Sequence, residues 1–178
     1  MATPKKILYI DMDNTLVDFS AKLEHVDPVV RERYRGHEDE MPGIFALMPP
    51  VKGALRAFTE LSELFDIYIL STAPWGNPSA WQHKVEWVHV HLGMDDDTPA
   101  YKRLILSHHK NLNRGDFLVD DRPCHNGAEA FEGELIWFGR DGTPEQAAQG
   151  LKCERVGTTT PCKDWEAVVA YLKGRAQA

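Results

Sequence analysis

The sequence predicts an α/β fold: a parallel sheet covered by helices on both faces, which makes three layers. Short, almost continuously apolar runs alternate along the chain with segments of helical periodicity. Apolar runs of this length are typical of strands buried on both faces. Because strands and helices alternate, right-handed crossovers between parallel strands are expected. A length of 178 residues, 43% of them hydrophobic, suits one domain over 1–178 with a small insertion.

Five apolar runs are predicted as the strands of this sheet. Each is short and bounded by polar or turn-forming residues, as buried strands are. The predicted strands are Ile7–Ile10, Ile67–Leu70, Arg103–Leu106, Phe117–Val119 and Leu135–Phe138.

Three segments repeat apolar residues at spacings of three and four, which predicts amphipathic helices. They are Val51–Leu61, Trp81–Leu92 and Trp165–Leu172. Gly93 follows the second segment and is expected to cap that helix, because glycine tolerates the left-handed backbone found at helix ends.

A polar, proline-rich segment at about 20–50 interrupts this alternation and is predicted to be a small helical cap. Within it, Pro28–Arg35 is expected to form a short helix that has proline in its first turn. A lid folded over the edge of the sheet is the functional interpretation, and a disordered surface loop is the alternative. Burial is expected for its apolar residues Ile44, Phe45, Leu47 and Met48.

Composition excludes several classes of protein. A formal charge of −7 disfavours binding to a nucleic acid polymer, whose phosphates would repel the chain. The first residues lack the apolar run of a signal peptide or membrane anchor, so cytoplasmic residence is the default expectation. Cys124, Cys153 and Cys162 have no tight spacing, which predicts free thiols rather than a disulfide framework or a zinc site.

Two aspartates, Asp11 and Asp13, directly follow the first predicted strand. Side chains two residues apart, where a strand gives way to a loop, can point into one cleft. Paired carboxylates serve as nucleophile and general acid, or as a metal site. The alternative is an Asx-turn that only ends the strand.

Hydroxyl and amino groups occur near the ends of later strands. Thr72 follows the second strand, where its hydroxyl could bind a phosphate oxygen, and an ordinary turn is the alternative. Lys110 and Lys84 could neutralise a phosphate, although solvated surface lysines are the alternative for both. Thr72 and Lys110 lie toward the carboxyl ends of strands, where open α/β sheets bind ligands, whereas Lys84 sits on a predicted helix.

The pair Asp120-Asp121 follows the very apolar strand Phe117–Val119. Adjacent acids at a buried strand end are costly without a nearby cation. Magnesium prefers a few carboxylates together with water and substrate phosphate. A magnesium site is therefore predicted, and a loop with two solvated acids is the alternative.

In this order, Asp-x-Asp-x-Thr, a Ser/Thr strand end, a lysine and Asp-Asp resemble the haloacid dehalogenase superfamily of phosphatases, whose core is Rossmann-like. The resemblance covers the whole core of the chain. A closer resemblance is to the 5'(3')-deoxyribonucleotidase family. The segments that carry it are Asp11–Asp13, Asp18-Phe19, Pro42–Phe45, Pro50–Ala54, Lys84–Val88, Leu106–Lys110 and Asp120–Pro123.

The resemblance implies a magnesium-dependent phosphatase that hydrolyses (deoxy)ribonucleoside monophosphates through an aspartyl-phosphate. Asp11 would be the nucleophile and Asp13 the general acid and base. The Asp11 carboxylate, the Asp13 backbone carbonyl and Asp121 would bind Mg²⁺, with Asp120 close by or in the outer shell. Which of Asp120 and Asp121 ligates the ion directly stays open. Thr72, Lys110 and Lys84 are the expected phosphate contacts.

Aromatic residues are candidates for a nucleobase pocket, because their faces stack on bases. Phe19, Phe45 and Trp75 are the candidates, and simple core packing is the alternative for each. The base, the sugar and the position of the phosphate stay open, as does the oligomeric state, for which a homodimer is one alternative. Two rival functions also stay open: a phosphatase acting on another small ester such as a sugar phosphate, and a non-catalytic, phospho-accepting regulatory module.

Overall fold

The computed structural model describes residues 4–46 and 48–176 and contains a sheet of six parallel strands. In chain order these are β1 (Ile7–Ile10), β2 (Asp66–Ser71), β3 (Leu104–Leu106), β4 (Phe117–Asp120), β5 (Glu134–Phe138) and β6 (Thr159–Cys162). Their order across the sheet is β3-β2-β1-β4-β5-β6. The order reverses between β1 and β4, so a crevice opens outside the carboxyl ends of these two strands. The predicted α/β class is confirmed.

Six α-helices accompany the sheet over the described residues. They are α1 (Phe19–Leu23), α2 (Pro28–Arg33), α3 (Ala54–Ser62), α4 (Pro78–Leu92), α5 (Pro144–Gly150) and α6 (Trp165–Ala176). The three predicted helices correspond to α3, α4 and α6. The first begins later than its periodicity suggested, because Gly53 adopts a left-handed conformation (φ +85°) as the N-cap. Gly93 ends α4 with φ +88°, as predicted. None of the described helices combines the length and apolar character that crossing a membrane requires.

The residues of β1 to β5 alternate between two apolar clusters, one on each face of the sheet. In β1, Leu8 and Ile10 join the larger cluster and Tyr9 joins the smaller. Helices α3, α4 and α6 complete the larger cluster, and a 3₁₀ turn at Ala128–Ala130 contributes to the smaller. Both faces are therefore covered, which explains why the strands have nearly continuous apolar sequences.

Helix α1 was not predicted individually, and two elements outside the cap segment, β6 and α5, also escaped prediction from the sequence. Strand β6 has the sequence Thr-Thr-Pro-Cys, and proline is tolerated there because β6 lies at an edge of the sheet. Helix α5 has a single buried residue, Ala147, and so lacks an apolar stripe. It is started instead by a capping box between Thr143 and Gln146.

The segment predicted as a cap is folded between β1 and α3. The Asp18 carboxylate accepts a hydrogen bond from the Ala21 amide and caps α1, and Asp27 caps α2 in the same way. Helix α2 ends at Arg33, two residues earlier than predicted. Burial was expected for four apolar residues of the cap segment. Ile44, Phe45 and Met48 are buried, and Leu47 lies outside the described residues.

The prediction of three free thiols is wrong for two of them. Cys124 and Cys153 form a disulfide whose Cα atoms lie 5.7 Å apart, while Cys162 is free and buried. The two half-cystines are separated by 29 residues in sequence. The fold brings the loop after β4 beside the segment after α5, a proximity that spacing along the chain does not reveal.

We expect reduction of this disulfide to lower the free energy of unfolding by about 3–4 kcal/mol, because closing a loop of this length restricts the unfolded chain. The measurement is urea unfolding with and without dithiothreitol. A Cys124→Ser/Cys153→Ser variant should be as stable as the reduced protein and insensitive to reductant. Alkylation of all three cysteines in the unreduced, denatured protein would contradict the disulfide.

Candidate active site

The turn after β1 brings two aspartates to the crevice. The Asp11 amide donates to the Val119 carbonyl of β4 at 2.8 Å, which places Asp11 at the point where the strand order reverses. Beyond it the chain turns sharply, with Asn14 in the left-handed region (φ +55°). The Trp165 indole donates to the Thr15 carbonyl at 2.9 Å and fixes the far side of the turn from α6.

Three carboxylates meet in the crevice. One oxygen from each of Asp11, Asp120 and Asp121 lies within 4.8 Å of the other two. At about 4 Å each pair of negative charges repels by roughly 4 kcal/mol at an effective dielectric of 20. Burial, together with the charge of Asp11, raises the pKa of Asp120 to about 6 and that of Asp121 to about 7. The cluster therefore needs compensating positive charge to be fully ionised at neutral pH.

The carboxylates differ in how the protein satisfies them. Asp120 accepts from the Lys110 ammonium at 2.6 Å and from the Arg122 amide at 2.8 Å. Oδ2 of Asp121 lies 3.4 Å from the Asn14 amide nitrogen, while its Oδ1 is buried and has no hydrogen-bond partner among the described residues. A buried carboxylate oxygen without a partner, beside two further carboxylates, fits a hard divalent cation.

Lys110 supplies one positive charge to this cluster. Its Nζ lies 2.9 Å from Asp11 Oδ1 and 2.6 Å from Asp120 Oδ2, and the residue is only 3% exposed. Burial alone would lower the pKa of this lysine, but the charges of Asp11 and Asp120 outweigh it and raise the pKa above its usual value. The short 3₁₀ turn at Lys110–Leu112 holds the residue there, and its amide donates to the Asn126 carbonyl at 2.8 Å.

Lys84 projects from α4 into the same region but contacts protein groups. Its Nζ lies 2.6 Å from Asp13 Oδ1 and 3.1 Å from the Ser71 hydroxyl, and the side chain is 1% exposed. The pKa of Asp13 is raised above its ordinary value. Burial and the nearby charge of Asp11 raise it, and together they outweigh Lys84, which lowers it.

Thr72, at the end of β2, completes the predicted set. Its hydroxyl donates to the Ser107 carbonyl at 2.9 Å. Thr72 borders one small cavity together with Asp11, Asp13, Lys110 and Asp120. The structure therefore brings together residues from four strand ends, as the sequence order suggested.

Three residues that sequence reasoning missed also border this cavity: Arg122, His125 and Asn126. Arg122 and His125 are exposed at its rim. They follow Asp120-Asp121 closely in the sequence, and this position could have predicted them. The first residues of a loop that begins at the crevice have to lie beside it.

The aromatic candidates occupy contrasting environments. Phe45 is 4% exposed, and its ring centroid lies 5.5 Å from that of the half-buried Phe19. It is therefore packed in the core, as the alternative interpretation expected. Trp75 is 85% exposed and lies against His108, with ring centroids 5.8 Å apart. Core packing does not explain Trp75.

Comparison with known proteins agrees with this geometry. Residues 20–144 match the model of the family "5' nucleotidase, deoxy (Pyrimidine), cytosolic type C protein" (NT5C). A Vibrio phage KVP40 protein named "Putative 5'(3')-deoxyribonucleotidase" is 49% identical over 170 residues, covering 96% of this chain and 86% of its own length. The human "5'(3')-deoxyribonucleotidase, cytosolic type" is 30% identical over 159 residues, covering 72% of this chain and 76% of its own.

Solved structures support the fold. The Bacillus subtilis HAD-hydrolase YfnB, in a magnesium-bound form, superposes with a TM-score of 0.58 at 12% identity, covering 96% of this chain and 99% of its own. A haloacid dehalogenase-like family hydrolase from Xanthomonas campestris gives 0.57 at 10% identity, covering 99% of each chain. The family model and the phage relative show that the chain belongs to the 5'(3')-deoxyribonucleotidase family of phosphoric monoester hydrolases, and its fold is that of the HAD-like hydrolases.

Proposed function

We propose that this enzyme hydrolyses (deoxy)ribonucleoside monophosphates with Mg²⁺ through an aspartyl-phosphate on Asp11. The observation that carries the proposal is the position of Asp11, a buried carboxylate at the sheet's switch point, paired with Lys110 and beside Asp13. Relatives named as 5'(3')-deoxyribonucleotidases support a nucleotide as the substrate.

In the first half-reaction a carboxylate oxygen of Asp11 attacks phosphorus. The bond from Asp11 to phosphorus forms, and the bond from phosphorus to the ester oxygen breaks. Asp13 gives its proton to the departing alkoxide. A raised pKa suits Asp13 for this step, because a general acid has to hold its proton near neutral pH.

In the second half-reaction Asp13, now ionised, takes a proton from water. The water oxygen attacks phosphorus, the bond to Asp11 breaks, and inorganic phosphate and the free carboxylate result. Lys110 keeps one Asp11 oxygen oriented through both steps, since its Nζ contacts Oδ1 at 2.9 Å. Positioning and charge compensation of this kind dominate phosphoryl transfer.

The proposed Mg²⁺ ligands are the Asp11 carboxylate, the Asp13 backbone carbonyl and Asp121. Asp121 Oδ1, which has no hydrogen-bond partner within residues 4–46 and 48–176, supports direct ligation by Asp121. Both oxygens of Asp120 already accept hydrogen bonds, which suits the outer shell. The bound ion would supply Lewis-acid neutralisation of phosphate charge among the carboxylates.

Phosphate would be held by Lys110 and by Thr72, with Lys84 as a further predicted contact. The Thr72 hydroxyl donates to Ser107 in this structure, so it has to rotate to donate to phosphate. Lys84 would likewise have to leave a protein partner. Lys110 borders the cavity together with Asp11 and Thr72, whereas Lys84 is not among its lining residues, so direct phosphate contact is better supported for Lys110 than for Lys84.

We propose that the substrate's base binds near Phe19, Phe45 and the lid segment, which is the predicted cap at about 20–50. Trp75 offers an exposed aromatic face. Phe45 would have to move to expose its ring.

Cytoplasmic residence and a homodimer stay predictions, and the Cys124–Cys153 disulfide is unusual for a reducing compartment. The proximity of Asp13 to Asp11 favours an enzyme over a phospho-accepting module, which has no need of a general acid.

A panel of phosphate esters assayed with Mg²⁺ tests the proposal. It should contain deoxy- and ribonucleoside monophosphates carrying 5' or 3' phosphate, together with sugar phosphates. We expect the highest kcat/KM on nucleotides, and the same preparation of Asp11→Asn protein controls for contaminating phosphatases. Equal or better turnover of sugar phosphates would favour the rival substrate class and reject the nucleotide assignment.

A further inference from the structure

We infer that Lys84 is a positioning residue for Asp13: it fixes the orientation of the proton-donating carboxylate, and through Phe45 it connects that carboxylate to the lid segment. The inference rests on the proposed function, because it assigns Lys84 a part in the leaving-group protonation that Asp13 performs. It differs from the expected phosphate contact, and the two roles predict different kinetics.

Lys84 is buried, with 1% of the residue exposed, and its ammonium contacts three protein groups. A buried ammonium is costly unless its protons are satisfied. Nζ contacts Asp13 Oδ1 at 2.6 Å and Ser71 Oγ at 3.1 Å, and it lies 4.7 Å from the centroid of the Phe45 ring. Ser71 is fully buried at the end of β2, so the lysine is anchored to the sheet. A phosphate would have to displace one of these partners.

Asp13, in turn, depends on Lys84 for its orientation. Within residues 4–46 and 48–176, Lys84 is the hydrogen-bond and ion-pair partner found for the Asp13 side chain. The terminal torsion of an aspartate is intrinsically broad, so an unanchored carboxylate rotates. Holding Oδ1 also fixes the position of Oδ2, and Asp13 borders the cavity together with Asp11 and Thr72. Proton transfer needs that placement, because donor and acceptor have to come within hydrogen-bond distance.

Phe45 links this pair to the lid segment. Its ring packs against Phe19 and also faces the Lys84 ammonium at cation–π distance. Any movement of the lid that carries Phe45 away exposes the ammonium to water or to another anion. The ammonium that orients Asp13 is therefore covered on one side by a residue of this segment.

The test compares two leaving groups in the Lys84→Met variant, which keeps the length of the side chain and removes the charge. A nucleoside or sugar phosphate releases an alkoxide that needs a proton, whereas nitrophenyl phosphate releases a phenolate that does not. The quantity measured is kcat/KM, which ends with departure of the leaving group. We expect a loss of about 100-fold or more on the alkyl ester and less than about tenfold on the aryl ester, in parallel with Asp13→Asn.

Two further variants keep the test decisive if Lys84→Met folds poorly. Ser71→Ala removes one anchor of the ammonium and should show a smaller loss with the same selectivity for the alkyl ester. Lys84→Arg keeps the charge and should recover part of the alkyl-ester rate. Lys52→Met, at an exposed lysine, is the matched control and should match the unmodified enzyme on both esters.

Equal losses on the two esters in Lys84→Met and Ser71→Ala would overturn the inference, because a phosphate contact or a purely structural lysine affects both substrates alike. The comparison is made on whichever alkyl ester the enzyme hydrolyses best. Failure of the nucleotide assignment is therefore seen separately, as a preference of the unmodified enzyme for sugar phosphates.

Discussion

Asp11→Asn is expected to abolish turnover, with kcat falling on the order of 10⁴-fold or more, as when other covalent nucleophiles are removed. The amide that replaces the carboxylate is a very poor nucleophile toward phosphorus. The substitution nearly conserves shape, and Lys110 keeps its second partner, Asp120, at 2.6 Å. The fold should therefore persist, which circular dichroism and thermal unfolding would check alongside steady-state kinetics.

Asp96→Asn provides the matched control, since Asp96 is exposed and should be dispensable. A second readout is the covalent intermediate itself: rapid acid quenching of the unmodified enzyme should trap phosphate on Asp11, and the variant should trap none. Substantial residual turnover by Asp11→Asn would rule out the covalent route through this residue.

Removal of divalent metal is expected to reduce activity to background. Without the ion the crevice holds Asp11, Asp120 and Asp121 close together with one buried lysine, and a phosphate dianion would add to that negative charge. Chelation followed by assay measures the loss, and addition of Mg²⁺ should restore the rate. A chelator-resistant enzyme would contradict the metal model.

Measuring activity against Mg²⁺ concentration also distinguishes the proposed role of Asp121, a direct metal ligand, from that of Asp120, an outer-shell partner. Asp120→Asn should raise the Mg²⁺ concentration needed for half-maximal activity by about 10- to 100-fold, as for other outer-shell partners of metal ligands. Asp121→Asn should raise it further, because Asp121 Oδ1 is buried and has no hydrogen-bond partner among the described residues. A larger effect at Asp120 would exchange the two assignments.

Local sequence patterns were sufficient for the parts of the fold that have apolar periodicity. The five predicted strands and three predicted helices are all present, because a buried strand or an amphipathic helix has to show its buried face in the order of its residues. Strand β6 and helix α5 have no such face. One is an edge strand containing Pro161, and the other buries only Ala147.

The residues of the candidate site likewise include some that the sequence predicted and some that it could not. Asp11, Thr72, Lys110 and Asp120 each end or follow a strand, and parallel strands carry their carboxyl ends to one edge, so the sequence alone placed them together. The partners of Lys84 could not be predicted, because the direction of its side chain depends on how α4 packs on the sheet. Arg122 and His125 border the cavity for a similar reason, through the path of a loop.

By itself, then, the sequence determined the parallel α/β core and the order of acids, hydroxyl and lysine at its strand ends. The tertiary structure alone decided that Lys84 pairs with Asp13, that Asp121 has an oxygen without a partner in the described part of the chain, and that Cys124 bonds to Cys153. The physical reason is how far apart along the chain the interacting residues lie. Burial periodicity repeats over a few neighbouring residues, whereas each of these contacts joins segments that meet only after the helices and loops have packed.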